Sequence, residues 1–185
     1  AHAAGLIHRD IKPANVMVCD RAGIADLVKE LDFGLGREMV QDPRTGITQP
    51  GTIVGTPLYM PPEAIGARDR IDGRGDLYSV GAVGYFLLCG TSMFEGDDIA
   101  EVCARVVTEP PAPPSKRTDR PIPASLEEVI LRCLEKEPGK RFASAQELHD
   151  RLAGISDAGT WGPEEAREWW RAHAKREAPE EDAPA

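Results

Sequence analysis

At 185 residues with 41% hydrophobic content, the chain can bury one core of moderate size, so one domain plus a tail is expected. A formal net charge of −9 argues against nucleic acid as the main partner, and the longest apolar run, Val80 to Cys89, is too short to cross a bilayer. Cys19, Cys89, Cys103 and Cys133 are far apart, form no metal-ligand or redox spacing, and suit reduced thiols in a cytoplasmic protein.

The first informative stretch is His8-Arg9-Asp10-Ile11-Lys12-Pro13-Ala14-Asn15. The apolar run Val16-Met17-Val18 predicts a short strand, Cys19 to Gly23 a polar turn, and Leu27 to Leu31 a second strand that delivers Asp32-Phe33-Gly34 to the same place. Taken singly, an Asp or Asn in a turn is an Asx-turn or cap residue. Side chains carrying hard oxygens on two neighbouring turns suit Mg²⁺ and the transfer of a phosphoryl group, which needs positioning and charge neutralisation more than covalent help. Lys12 lies two residues from Asp10, so on an extended loop both side chains point the same way.

From Leu35 to Met60 the chain is rich in Gly, Pro and Thr and reads as a long surface loop, ending in Gly55-Thr56-Pro57-Leu58-Tyr59-Met60-Pro61-Pro62-Glu63. Asp76 to Gly90 is apolar nearly all round, which predicts a buried helix stopped by Gly90. A helical period follows from Ile99 to Val107, broken by the prolines from Pro110 to Pro114. Ser125, with Glu128 three residues on, predicts a capped helix that ends at Pro138, and Ser144 opens a last helix with Leu148 and Leu152 inward. In the tail, Pro163, Glu164 and Glu165 predict a helix start before Trp169 and Trp170, and the acidic, Pro-containing end predicts disorder. Trp161, Trp169 and Trp170 either dock back on the domain or meet a partner.

These runs resemble a bacterial-type (Hanks-type) protein serine/threonine kinase: His8 to Asn15 match the catalytic loop H-R-D-x-K-x-x-N at every specified position, and Asp32 to Gly34 match the metal-binding D-F-G. The resemblance implies that Asp10 takes the proton of the substrate hydroxyl, that Lys12 reaches toward the transferred group, and that Asn15 and Asp32 hold magnesium. Met17 then forms the floor under the adenine, or is simply packed in its strand. His8 is structural, against Phe33. Arg9 pairs with a phosphorylated Thr48 or Thr52, unless those threonines stay unmodified, and Thr56 bonds near Asp10 and Lys12. Pro61-Pro62-Glu63 stands where the family has A-P-E, departing at its first position. Asp76 holds the catalytic-loop backbone, and Arg141 pairs with Glu63.

The implied fold is mainly α, α+β overall. It is the carboxy-terminal lobe of a protein kinase over residues 1–155, with a short β-hairpin at the active site, followed by a tail over 156–185. Ala1 to Ile7 resemble only the last turn of the helix before the catalytic loop, so the amino-terminal lobe, with its Gly-rich loop and strand Lys, is missing. The chain is then a fragment of a longer protein or the product of a truncated gene. The implied cofactors are ATP and Mg²⁺, with Mn²⁺ as a substitute, and the implied partners are a protein bearing Ser or Thr and the missing lobe. Alone, the chain is expected to bind ATP weakly and turn over little. Two alternatives are a non-catalytic docking or regulatory module and a small-molecule phosphotransferase of the aminoglycoside-kinase type. The latter shares an Asp and an Asn five apart but lacks the activation segment and the Glu–Arg pair.

Overall fold

The structure is a computed structural model that describes residues 1–21, 24–31, 57–66, 71–157, 159 and 161–173. Asp32, Phe33, Gly34, Thr48, Thr52 and Thr56 lie outside the described residues, as does the end of the tail from residue 174. The described chain is mostly helical, with one two-stranded antiparallel sheet formed by β1 (Val16–Arg21) and β2 (Ile24–Glu30). Both strands run further toward the turn than the apolar residues alone suggest. Pairing of Cys19 with Leu27 and Arg21 with Ile24 carries the ladder through the polar residues, with an irregularity between Cys19 and Arg21. Backbone hydrogen bonding decides strand length here, since these side chains bury little.

Among the described residues six α-helices follow: α1 (Pro62–Gly66), α2 (Gly73–Cys89), α3 (Ile99–Thr108), α4 (Ala124–Cys133), α5 (Ala145–Ala153) and α6 (Pro163–His173). Helix α2 begins three residues before Asp76 because Asp72 caps it, its carboxylate accepting from Arg74 N at 2.9 Å. It ends at Gly90, whose φ of 72° lets its N–H reach Phe86 O. Asp98 caps α3 by accepting Glu101 N while Glu101 accepts Asp97 N, and Ser144 caps α5 by accepting Glu147 N while Glu147 accepts Ala143 N, a capping-box-like exchange at each start. The cap expected at Ser125 is not formed. Pro123 occupies the cap position of α4, and the Ser125 hydroxyl turns instead to Asp157.

Tyr78, Tyr85, Phe94, Val106, Ile130 and Leu134 centre one apolar cluster, and Leu77, Val129, Cys133, Phe142 and Leu148 form a second. Tyr78 and Leu77 are adjacent on α2 and point about 100° apart, so this helix is the wall between the two clusters. Each such side chain, fully buried, contributes about 1.5–3 kcal/mol. Burial of α2 is not all round, however. Val80 is 37% exposed on its outer side, and Leu87 is 72% exposed near its end, because no described element packs over that turn. Leu152, expected inward on α5, is likewise 39% exposed, and Leu148 alone carries that helix's inner face.

Candidate active site

The loop from His8 to Asn15 is held from beneath by one carboxylate. Asp76 is 3% exposed, and it accepts His8 N on Oδ2 and Arg9 N on Oδ1, each at 2.8 Å. Gripping two consecutive amides fixes the peptide plane between them. That grip offsets the strain at Arg9, a non-glycine residue at φ 65°, a conformation that costs on the order of 1–3 kcal/mol. A third bond reaches Asp76 Oδ2 from His2 Nε2 at 2.8 Å. His2 also explains Gly73 at the start of α2, where an added Cβ would stand 2.9 Å from the His2 ring.

His8 is 3% exposed and ties the loop to the end of β2. Its Nδ1 accepts from Asp10 N at 3.3 Å, and its Nε2 lies 3.2 Å from Leu31 O, a pattern that suits a proton on Nε2. Glu30 lies 3.6 Å from the same ring. Burial raises the Glu30 carboxyl above the usual carboxylate range; His8 draws it down and Asp76 pushes it further up. Leu31 N donates to Asn15 O at 2.8 Å, so both open ends of the hairpin are fastened to the loop.

Three of the residues singled out in the sequence meet at Asp10. Lys12 Nζ donates to Asp10 Oδ2 at 2.8 Å, and Asn15 Nδ2 donates to the same oxygen at 3.1 Å and to Asp10 O at 2.8 Å. With its amide nitrogen committed inward, buried Asn15 keeps Oδ1 out of any hydrogen bond among the described residues. That leaves a hard oxygen suited to Mg²⁺. Among the described residues no group of three His, Cys, Asp or Glu could hold a metal ion. Met17 is 48% exposed on β1, not packed beneath its own sheet.

Farther along, Glu63 on α1 and Arg141 form a bidentate pair at 2.7 and 2.8 Å. Arg141 also donates to the carbonyls of Arg74, Glu135 and Lys136 and lies 5.0 Å from the centre of the Tyr78 ring. Ser79 on α2 donates to Tyr59 O at 2.8 Å, anchoring the turn Pro57–Tyr59. Beside that turn, a groove of about 660 Å³ is lined by Leu58, Phe86, Phe94, Ile99 and Val102, with Glu95, Asp97 and Asp98 along it. None of the residues from His8 to Asn15 lines it.

His2 and Glu30 were not signalled by the sequence, since no motif includes them and the carboxylate His2 meets lies 74 residues away. No helix among the described residues is long and apolar enough to cross a membrane. Residues 1–152 match the protein-family profile described as "Protein kinase domain". Among curated proteins, the chain is 41% identical over 157 residues to "Serine/threonine-protein kinase pkn3" of Myxococcus xanthus, covering 84% of this chain and 28% of that protein. It is 42% identical over 152 residues to "Serine/threonine-protein kinase Pkn1" of the same organism, covering 82% and 21%. It is 37% identical over 155 residues to "Serine/threonine-protein kinase PknB" of Mycobacterium tuberculosis, covering 84% and 24%. The chain thus spans about a quarter of the length of these relatives.

Proposed function

The chain belongs to the protein kinase family, and on that premise we propose that it is the carboxy-terminal lobe of a bacterial-type serine/threonine kinase, over residues 1–155, with a separate tail over 156–185. Completed by an amino-terminal lobe, it moves the γ-phosphate of ATP to a Ser or Thr hydroxyl of a protein. The observation that carries this reading is the bracketing of Asp10 by Lys12 and Asn15 on a loop whose backbone Asp76 grips. The names of the relatives, all serine/threonine-protein kinases, support it.

Asp10 Oδ2 is spent on Lys12 and Asn15. Oδ1 is therefore the oxygen that accepts the substrate hydroxyl and takes its proton as the new P–O bond forms. Lys12, already 2.8 Å from Asp10, reaches the transferred group with its remaining donors. Asn15 Oδ1 and Asp32 are the ligands for Mg²⁺, or for Mn²⁺ in its place. When bound, the metal–nucleotide complex supplies the phosphoryl group and neutralises its charge. Met17 lies under the adenine. Its 48% exposure supports an apolar side chain that the nucleotide covers, and the paired Val18 and Val28, 47% and 61% exposed on the other face, are a separate apolar surface. Thr56 shapes the substrate side of Asp10, and the groove beside Leu58 gives the protein substrate a seat.

Phosphorylation of Thr48 or Thr52 adds about −1.5 to −2 charge that pairs with Arg9 and orders the segment. Phe33 and Gly34 set the placement of Asp32, and Glu63 with Arg141 fastens the segment's far end. The cytoplasm is the proposed location, in keeping with four free thiols.

The test is phosphate transfer from labelled ATP, measured for the 185-residue chain alone and for the chain joined to an amino-terminal lobe from one of its relatives. Little transfer alone, restoration in the joined protein, and a loss of about 10²–10⁴-fold on Asp10→Asn are expected. Robust turnover by the chain alone overturns the lobe assignment. A joined protein that stays silent favours a docking or regulatory module.

A further inference from the structure

The family match ends at residue 152, yet the chain beyond it returns to the β-hairpin. Trp161 Nε1 donates to Asp26 Oδ2 and Trp170 Nε1 donates to Asp26 Oδ1, each at 2.7 Å. One carboxylate on β2 thus takes two indoles, one from the segment just before the tail helix and one from its interior. An indole N–H only donates and a carboxylate only accepts, so the match uses every polar atom that the three side chains offer. Ala166, 3% exposed, is the small residue that lets α6 come close, and Glu165 fixes the helix start by accepting Gly162 N at 2.9 Å. Asp26 itself stands at φ 56°, a conformation that Asp and Asn tolerate better than most residues.

The position of this contact gives it a consequence. The hairpin has two ends: the open one is fastened to the catalytic loop through Leu31 N to Asn15 O and His8 to Leu31 O, and Asp26 lies about 13 Å up the strand from Glu30, at 3.3 Å per residue. The strand between them links the tail contact to Leu31, which is bonded to the catalytic loop. The contact is also releasable, since Trp161 is 62% exposed and only Ala166 of α6 is buried; elements with few buried contacts open locally at low cost.

We propose that α6 is an intramolecular latch on the hairpin, and that Asp26, Trp161 and Trp170 are positioning residues through which its docking sets the grip of the site on nucleotide. The link to nucleotide rests on the kinase reading; the latch does not. All three tryptophans of the chain lie in this segment, so intrinsic emission reports the latch alone.

In the full chain, Asp26→Asn keeps all three indoles and a backbone-compatible residue but turns one acceptor into a donor facing an indole N–H. Trp161→Phe with Trp170→Phe removes both donors. Red-shifted emission in Asp26→Asn is expected. In both variants, hydrogen exchange at least tenfold faster is expected over residues 16–31 and 161–173 and unchanged over 73–89, with severalfold weaker Mg·ATP binding. Asp26→Glu restores part of each. Unaltered exchange over 16–31 in the double variant overturns the latch, as does accelerated exchange over 73–89 equal to that of the hairpin. Faster hairpin exchange with unchanged Mg·ATP affinity overturns the coupling to the site. Should the unmodified chain, alone and joined to an amino-terminal lobe, bind no Mg·ATP, the kinase reading fails, and exchange still decides the latch.

Discussion

Replacing Arg141 tests the reading of the clamp most directly, because every donor of its guanidinium is used. Nε meets Glu135 O, one terminal nitrogen meets Glu63 Oε1 and Arg74 O, and the other meets Glu63 Oε2 and Lys136 O, at 2.7 to 3.1 Å. The Arg141 side chain is fully buried and that of Glu63 is 13% exposed. Arg141→Met therefore leaves a buried carboxylate without its counter-charge, at a cost of about 3–5 kcal/mol, out of a total of about 5–15 kcal/mol for a typical domain. With a urea slope of about 2 kcal/mol/M, a loss of about 4 kcal/mol lowers the unfolding midpoint by about 2 M. Arg141→Lys keeps the charge but offers three donors in place of five, so it should cost about 2–3 kcal/mol by leaving carbonyls unpaired. Combining Glu63→Gln with Arg141→Met removes the stranded charge, and the pair should cost less than the sum of the single changes by 2 kcal/mol or more, on the order of the couplings seen for contacting residues. Urea denaturation followed by far-UV circular dichroism measures the parent and all four variants, Glu63→Gln alone included. An Arg141→Lys midpoint indistinguishable from the parent, or strict additivity in the double variant, would refute the argument.

Asp76→Asn should lower the melting temperature by about 5–10 °C, from about 2–3 kcal/mol lost where an amide N–H2 faces a backbone N–H; differential scanning calorimetry reads it. Gly81→Ala places a Cβ 2.5 Å from Cys133 Cβ. Overpacking of about 1–3 kcal/mol then outweighs the helix propensity of about 1 kcal/mol that alanine brings. Gly84→Ala meets only the tip of Ile130, so it should be near neutral and gain from Ile130→Val, as urea midpoints will show. Burial pushes the Lys136 ammonium down to about 8 from 10.5, with Arg141 adding to the shift. Between those values the unfolded chain holds the extra proton, so this residue's contribution to stability rises as pH climbs from about 8 toward 10.5. The urea midpoint of the parent should therefore gain on that of Lys136→Met between pH 7 and pH 9.5, and a constant difference contradicts the burial argument.

The contact of Glu63 with Arg141 was legible because each residue sits in a motif that can be recognised separately, and the motifs carry the pairing across 78 residues. Helix ends at Gly90, Ser144 and Pro163 were legible for a local reason: capping chemistry is decided within four residues. Where local rules compete, sequence reasoning went astray. Ser125 has the right neighbours for a cap, but Pro123 holds that position and Asp157, distant in sequence, takes its hydroxyl. Cys19 to Arg21 look like a turn by composition, yet ladder pairing with β2 overrides it. His2 and Asp26 carried no signal at all, since the groups they meet lie 74 to 144 residues away and nothing nearby in the chain announces them. The roles of Asp10, Lys12 and Asn15 toward substrate belong to the proposal; what the fold adds is their convergence within 3.1 Å.

Helix α2 explains why that convergence occurs where it does. Its first turns hold three separate segments: Arg74 O receives Arg141, Asp76 grips His8 and Arg9, and Ser79 Oγ reaches Tyr59 O. Asp76 and Ser79 are three residues apart and so lie on adjacent parts of one face. The loop that bears Asp10 and the turn that follows Thr56 are thereby registered against each other by a single rigid rod. Gly75 permits the close approach, since a Cβ there would stand 3.0 Å from Ile71 and 3.4 Å from Pro61. The same logic accounts for the exposed end of the helix: past Tyr85, whose hydroxyl donates to Ala112 O, no segment of the site is left to hold, and Leu87 faces outward. Burial along α2 thus follows the attachment of loops and of the neighbouring helix as well as the apolar pattern, which is why a helix that reads as hydrophobic all round leaves Val80 and Leu87 exposed.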